Sequence, residues 1–351
     1  HNLRADYPAG LAQGVYMTHP LDIGVIGVGH LGRLHAELAD HSPALNLVGV
    51  YDIDQARSRM EAERCHTRAF DTLDELLSAV PAASIVVPTE DHHRLALTAL
   101  EHNCHLFIEK PITATSAQAR TLLELAKEKN RLVQVGHIER FNPAFLALEG
   151  TDLRPMFIEV HRLSRFNPRG NDVSVILDLM IHDLDLVLTL INAPLESVHA
   201  SGVGVVSPSD DIANVRLEFA NGAVANLTSS RISAKDMRKM RIFEPNSYVS
   251  LDFLKHKTEI LELATRESLK PEDPSASLAL GSIGSGEQAK EVRMRLPEIP
   301  AVNSLLLQLE AFSRAVQQAT PPVVSGEDGL RALELAEIIL EQMRRPGTRS
   351  L

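Results

Sequence analysis

One feature limits the fold of this chain more than any other: a regular alternation over residues 21–137. Short apolar runs lie at LDIGVI (21–26), LNLVGVYD (45–52), TRAF (67–70), ASIVVP (83–88), HLFIEK (105–110) and LVQVGH (132–137). Stretches with helical spacing separate them at 30–41, 54–65, 71–80, 93–103 and 116–130. Strands joined through helices pair in parallel, because a parallel crossover is too long for a tight turn. This half therefore reads as α/β, with a doubly wound parallel sheet. Asp71, with Asp74 three residues on, is the expected cap of the third helix.

The rhythm changes after about residue 140. FIEVHRL (157–163) reads as a strand and is followed by an apolar helix. VHASGVGVV (198–206), ANVRLEFANGAVANLTSS (213–230), KMRIFEPNSYVSLDF (239–253) and KTEILEL (257–263) then follow. Asn221-Gly222 between two strand-like runs signals a hairpin. The second half is thus an α+β domain with a mostly antiparallel sheet. Residues 266–289, rich in Ser, Gly, Pro and charge, read as a flexible surface loop. Two helices, about 302–318 and 326–344, close the chain. The expected division is a first domain over 17–138 and a second over 139–325. The last helix, 326–344, is expected to pack back on the first domain. Residues 1–16 are expected to be an extension outside the fold, since they lack the charge and apolar core of a secretory signal.

Bulk properties exclude some functions. The formal net charge is −11, which disfavours general binding to nucleic acid or an anionic membrane surface. No apolar run is long enough to span a bilayer. Cys65 and Cys104 are the two cysteines, too few for a disulfide framework and consistent with a reducing cytoplasm.

GVGHLG (27–32) places Gly27, Gly29 and Gly32 in G-x-G-x-x-G spacing, after a strand and at the start of a helix. That context is the one a dinucleotide site requires. The helix start supplies N–H groups and partial positive charge for a pyrophosphate. Asp52 ends the second strand, where a carboxylate accepts from ribose hydroxyls and repels a 2′-phosphate. The reading favours NAD over NADP. His30 and Leu31 open the helix and count as candidate cofactor contacts, although an exposed helix-start role also suits His30.

Lys110, in IEKPI (108–112), ends the fifth strand, at the sheet edge where ligands bind in such folds. A lysine there can stabilise developing negative charge on a reacting oxygen, or it can simply be a solvated strand end. Glu109 beside it is grouped with the cofactor contacts. Pro88, Thr89 and His92, in VPTEDHH (87–93), line the same edge. His92 is either a cofactor neighbour or a local structural partner.

The helix ILDLMIHDLDLVL (176–188) is apolar on nearly every side, yet carries Asp178, His182, Asp183 and Asp185. Buried ionisable groups are costly unless they are paired or used. Asp178 and His182 are four residues apart and share a face.

Together GVGHLG, YDID, PTEDHH, EKPI, GHIERFNP (136–143) and LDLMIHD resemble the glucose–fructose oxidoreductase / inositol dehydrogenase / rhizopine catabolism family. The resemblance runs from about residue 21 to the C-terminus, including SGEDGLRALELA (325–336). It implies a Rossmann domain joined to a domain with a large open sheet, and NAD(P)-dependent oxidation or reduction of sugars and cyclitols. It also implies Lys110, Asp178 and His182 as the catalytic set, and a homodimer or homotetramer through the open sheet. Many members carry glycines just before the helix, where this chain reads NDVSVILDLMIHD. With GHIERFNP, that variant is similar to members that act as UDP-N-acetylglucosamine 3-dehydrogenases.

On this reading His182 is the general base, Asp178 orients it or contacts substrate, and Lys110 holds the substrate oxygen. All three then count as substrate contacts. Arg162, Arg165 and Arg169 precede the helix. Arginine suits bidentate recognition of phosphate, so Arg165 and Arg169 are candidate contacts to a nucleotide-sugar diphosphate. A solvated loop or subunit contacts are the alternatives. A metal site using His182, Asp183, Asp185 or HNCH (102–105) lacks ligand spacing, and none is expected. Other substrates of the family, such as a free sugar or an inositol, stay open. So does a non-catalytic NAD(H) sensor, against which a lysine–aspartate–histidine set argues. Asp183 and Asp185 are expected to be satisfied by hydrogen bonds or ion pairs.

Overall fold

A computed structural model describes residues 19–166, 173–207, 209–265, 277–284 and 289–344. The chain divides into two compact units. One holds the described residues up to Phe141 together with Val302–Glu337; the other holds Asn142–Ala301 and the chain from Ile338 on.

In the first unit strands and helices alternate. The order is β1 (Leu21–Ile26), α1 (His30–His41), β2 (Leu45–Tyr51), α2 (Gln55–Arg64), β3 (Arg68–Ala69), α3 (Leu73–Ala79), β4 (Ala82–Ile85), α4 (Thr89–Glu101), β5 (His105–Ile108), α5 (Ser116–Glu128) and β6 (Val133–Val135). The strands form a parallel sheet in the order β3-β2-β1-β4-β5-β6. The order reverses between β1 and β4, the switch point at which such sheets bind ligands. Ile23, Val25, Ala82, Ile85, Phe107 and Ile108 are buried, as expected of strands covered on both faces.

Two element boundaries differ from expectation. The third helix is capped by Thr72, not Asp71: Thr72 accepts from the Glu75 N–H, and the Glu75 carboxylate accepts from the Thr72 N–H. That reciprocal box satisfies two otherwise unpaired helix-end donors and wins over the isolated Asp71. The fourth helix begins at Thr89 rather than at residue 93, so Pro88 is its N-cap and Thr89 opens its first turn.

The second unit contains α6 (Pro143–Leu146), β7 (Phe157–Arg165), a π-helical turn at Ile176–Met180, α7 (Ile181–Leu190), β8 (Leu195–Val203), β9 (Ile212–Phe219), β10 (Val224–Ser233), β11 (Met237–Phe243), β12 (Ser247–Asp252), β13 (Lys257–Thr265), β14 (Ser277–Ile283) and β15 (Lys290–Arg295). Among the described residues these strands make a nine-stranded sheet, β14-β15-β13-β12-β11-β7-β10-β9-β8. Only β7 and β10 pair in parallel there; the other neighbours are antiparallel. Gly222, at φ +81°, makes the turn between β9 and β10, a conformation that glycine adopts without strain.

Burial alternates along the central strands. Ile158, Val160, Val215, Leu217, Leu227, Met240, Ile242 and Val249 face a core. The opposite face carries ion pairs: Arg241 with Glu159 at 2.6 Å, Arg216 with Glu218 at 2.9 Å and Lys239 with Asp252 at 3.5 Å. Part of the segment expected as a loop, 266–289, is in fact strand. Residues 277–283 pair with β15, with a register shift between Ala279 and Gly281. A partner strand supplies backbone bonds that composition alone does not reveal. Residues 266–276 and 285–288 of that segment lie outside the described residues.

Two helices end the chain, α8 (Ser304–Gln318) and α9 (Gly326–Arg344). In the first unit α8 packs on α1 and β5, with Phe312 edge-on to Phe107. Also in that unit, Glu337 of α9 accepts from the Ser116 N–H at 2.8 Å and hydroxyl at 2.6 Å.

Candidate active site

The glycine turn is built as its spacing requires. Gly27 has φ +83°, and a Cβ there would lie 2.5 Å from the Val86 carbonyl oxygen. A Cβ on Gly32 would lie 1.8 Å from the Gly27 carbonyl oxygen. At Gly29, the N-cap of α1, a Cβ would meet nothing within 4 Å. Gly27 and Gly32 thus serve the chain's own packing, whereas Gly29 leaves an open approach to the helix N-terminus. Those features fit a dinucleotide pyrophosphate. His30 and Leu31 are exposed in the first turn of α1.

Asp52 closes the same turn from β2. It is 5% exposed; its Oδ2 accepts from the Val28 N–H at 2.8 Å and its Oδ1 from the Asp54 N–H at 2.9 Å. Arg57 Nη1 lies 3.4 Å from Oδ2. A carboxylate has about four lone-pair directions, so these contacts leave capacity for ribose hydroxyls.

Lys110 follows β5 and is half-buried. Its neighbour Glu109 is 8% exposed and turned inward. Glu109 Oε1 lies 3.3 Å from Nε2 of the fully buried His35, at ion-pair distance but without hydrogen-bond alignment. Glu109 Oε2 accepts from the Lys110 N–H at 3.3 Å. The other His35 nitrogen meets the Ser84 hydroxyl at 3.0 Å. Gly136 makes room for this carboxylate: a Cβ there would come within 2.7 Å of Glu109 Oε1.

His92 resolves toward local structure. It is 1% exposed, with Nδ1 2.9 Å from the Pro111 carbonyl oxygen and Nε2 2.9 Å from the Val87 carbonyl oxygen. Both ring nitrogens therefore face backbone. Burial pushes its pKa below the ordinary histidine value, against the pull of those carbonyls. Pro88 is exposed and Thr89 half-buried at the start of α4.

In the second unit, the helix around Asp178 begins with a wide turn. Ile181 N–H bonds the carbonyl of Ile176, five residues back, while Asp178 N–H bonds Ser174 four residues back. Such π turns recur at functional sites. Asp178 and His182 are half-buried, while Asp183 and Asp185 are each 1% exposed. Asp183 takes a bidentate pair from Arg162, 2.8 Å from Nε and 2.7 Å from Nη2. That pair removes Arg162 from the expected basic cluster. Arg165 is exposed and lies 3.4 Å from Asp236; Arg169 lies outside the described residues.

Sequence reasoning missed a second buried pair. Asp211 is 0% exposed and accepts from the N–H groups of Val205, Val206 and Ser207, the Ser207 hydroxyl and Arg231 Nε. Arg231 also donates to the Val173 carbonyl at 2.8 Å. Burial alone would raise the Asp211 carboxyl, but the donors of Val206, Ser207 and Val205 hold it well below the usual carboxylate range. In the HNCH stretch, His102 turns to Asp74, Cys104 to the carbonyls of Leu77 and Val80, and His105 to the Leu132 N–H. Those side chains do not converge.

Comparison with known proteins now adds to the geometry. Residues 21–137 match the model of an oxidoreductase family with an NAD-binding Rossmann fold, and residues 148–244 match the GFO/IDH/MocA C-terminal domain. UDP-N-acetylglucosamine 3-dehydrogenase of Acidithiobacillus ferrooxidans is 36% identical over 314 residues, covering 89% of this chain and 94% of that protein. The chain belongs to the GFO/IDH/MocA oxidoreductase family. A solved structure of that Acidithiobacillus enzyme superposes with a TM-score of 0.81 at 35% identity, covering 92% of this chain and 97% of the other. Myo-inositol 2-dehydrogenase of Thermotoga maritima is 27% identical, covering 92% of this chain and 97% of that protein. The chain is thus an oxidoreductase with an NAD-binding Rossmann domain and a large, mostly antiparallel second sheet. No described helix is long and apolar enough to cross a membrane.

Proposed function

We propose that this oxidoreductase oxidises the 3-hydroxyl of UDP-N-acetylglucosamine to a ketone, with NAD as acceptor. The observation that carries the substrate is the 36% identity to a UDP-N-acetylglucosamine 3-dehydrogenase over 89% of the chain. Asp52 supports NAD over NADP: it is fixed by Val28 and Asp54 at the end of β2, where its charge opposes a 2′-phosphate. His30, Leu31, Pro88 and Thr89, together with the glycine turn, are the nearest groups to such a cofactor in this reading.

When bound, NAD supplies the carbon that accepts hydride. His182 takes the hydroxyl proton as the C–H electron pair leaves and the carbonyl forms. Asp178 orients His182 or holds the sugar. Lys110 donates to the reacting oxygen and stabilises its alkoxide character. Arg165 and Arg169 contact the diphosphate. The protein works in the cytoplasm as a homodimer or homotetramer, joined through the charged face of the nine-stranded sheet.

The test is NADH formation with NAD or NADP, screened over UDP-N-acetylglucosamine, other UDP-sugars, free N-acetylglucosamine and myo-inositol. The expected outcome is turnover with UDP-N-acetylglucosamine and NAD. Turnover confined to myo-inositol or a free sugar refutes the substrate. Tight NADH binding without turnover on any of them makes the protein a sensor.

A further inference from the structure

We infer that Glu109 and His92 are positioning residues that clamp the Lys110 backbone from its two sides, and that His35 seats Glu109. The inference rests on the proposed catalytic role of Lys110.

Three observations carry it. First, the Glu109 carboxylate is divided between two duties. Oε1 faces the buried His35 ring on α1, and Oε2 accepts from the N–H of Lys110 itself. A buried carboxylate without partners is costly, so its location next to Lys110 calls for a role. Second, the backbone on the other side of Lys110 is held as well. The Pro111 carbonyl lies 2.9 Å from His92 Nδ1, and the same ring reaches the Val87 carbonyl at the end of β4. Third, the surroundings are shaped for this arrangement. Gly136 leaves the space that the Glu109 carboxylate fills, Ser84 holds the far nitrogen of His35, and Phe107 packs edge-on against that ring.

These contacts join α1, β4, β5 and α4 around one short stretch, Glu109–Pro111. His35 and His92 contact protein groups of this unit. Both act through Lys110, because a reacting group displaced by about 1 Å can lose on the order of 10²-fold in rate. Glu109 is thereby reassigned from cofactor contact to a seat for Lys110.

The experiment compares Glu109→Gln, His35→Gln, His35→Leu and Lys110→Met, with thermal unfolding to confirm folding. Each is assayed for NAD-dependent oxidation of UDP-N-acetylglucosamine and for NADH affinity by fluorescence titration. Glu109→Gln should lower kcat by roughly 10-fold or more and leave NADH affinity within about 2-fold, since uniform binding is untouched. His35→Gln, which keeps a donor toward Glu109, should retain more turnover than His35→Leu. Glu109→Gln added to Lys110→Met should cause no further loss. Weaker NADH binding with unchanged kcat in Glu109→Gln overturns the inference and makes Glu109 a cofactor ligand. Full kcat in Glu109→Gln with Lys110→Met inactive also overturns it, but leaves the role of Lys110 standing. Full kcat in Lys110→Met removes that role and the inference with it. Should Glu109→Gln fail to fold, equal kcat in the two His35 variants overturns the seating of Glu109.

Discussion

Two buried acid–base pairs, one in each unit, are built differently. Arg162 and Asp183 join β7 to α7 with two contacts of 2.8 and 2.7 Å, and their side chains are 3% and 2% exposed. His35 and Glu109 join α1 to the end of β5 with a single approach of 3.3 Å. The guanidinium is permanently charged and its fork fixes both carboxylate oxygens, so the first pair is a rigid strut. The His35 imidazole offers Glu109 one nitrogen, its other being taken by the Ser84 hydroxyl. It leaves the second Glu109 oxygen to the Lys110 N–H. The strut holds a helix on its sheet, whereas the looser pair adjoins Lys110.

The largest expected effect is on the strut. Arg162→Met removes both of these contacts to the buried Asp183, and should cost about 3–5 kcal/mol of stability by denaturant unfolding. Arg162→Met with Asp183→Leu should recover most of that loss. A single variant as stable as the parent would break the comparison, because the pair would not then hold the helix.

Asp211→Asn comes next. It keeps the shape but removes the charge that three backbone N–H groups, Ser207 and Arg231 surround. A loss of roughly 2–3 kcal/mol is expected, the scale of hydrogen bonds to a charged group. The Asp211 pKa is depressed in the fold. Its contribution is therefore complete above the unfolded value of about 3.9 and drains as pH falls below it. In Asp211→Asn the unfolding free energy should fall less steeply over that acid range.

A smaller effect belongs to His92. Its folded pKa is lowered, first by burial, so the unfolded chain takes up the proton first as pH falls below about 6.5. Stability should decline as pH falls below that value, and His92→Gln should flatten that decline. An unchanged slope would show that the ring is not held neutral.

Much of this was legible from local pattern. The alternation of strands and helices, the glycine turn and Asp52 depend on local spacing; the strand order was not read from it. The partners of Glu109 and Asp211 were not legible. His35 reads as one more residue on the inner face of α1, and its partner lies at the end of β5. Asp211 sits just before β9 and Arg231 on its neighbour β10, and sequence does not supply the register that joins them. The wide turn at Ile176–Met180 gives no signal either, because its residues are ordinary helix formers. β14 was masked by a Ser- and Gly-rich composition that a partner strand overrides. Asp183, by contrast, was expected to be paired, and Arg162 pairs it.

On the proposed mechanism α7 divides its charges: Asp183 serves the fold through Arg162, and His182 serves the chemistry. The kcat of His182→Ala for NAD-dependent oxidation of UDP-N-acetylglucosamine tests it most directly. A fall of about 10²–10⁴-fold is expected, in a protein that unfolds at the parent's temperature. Retention of most of the parent's turnover would contradict it.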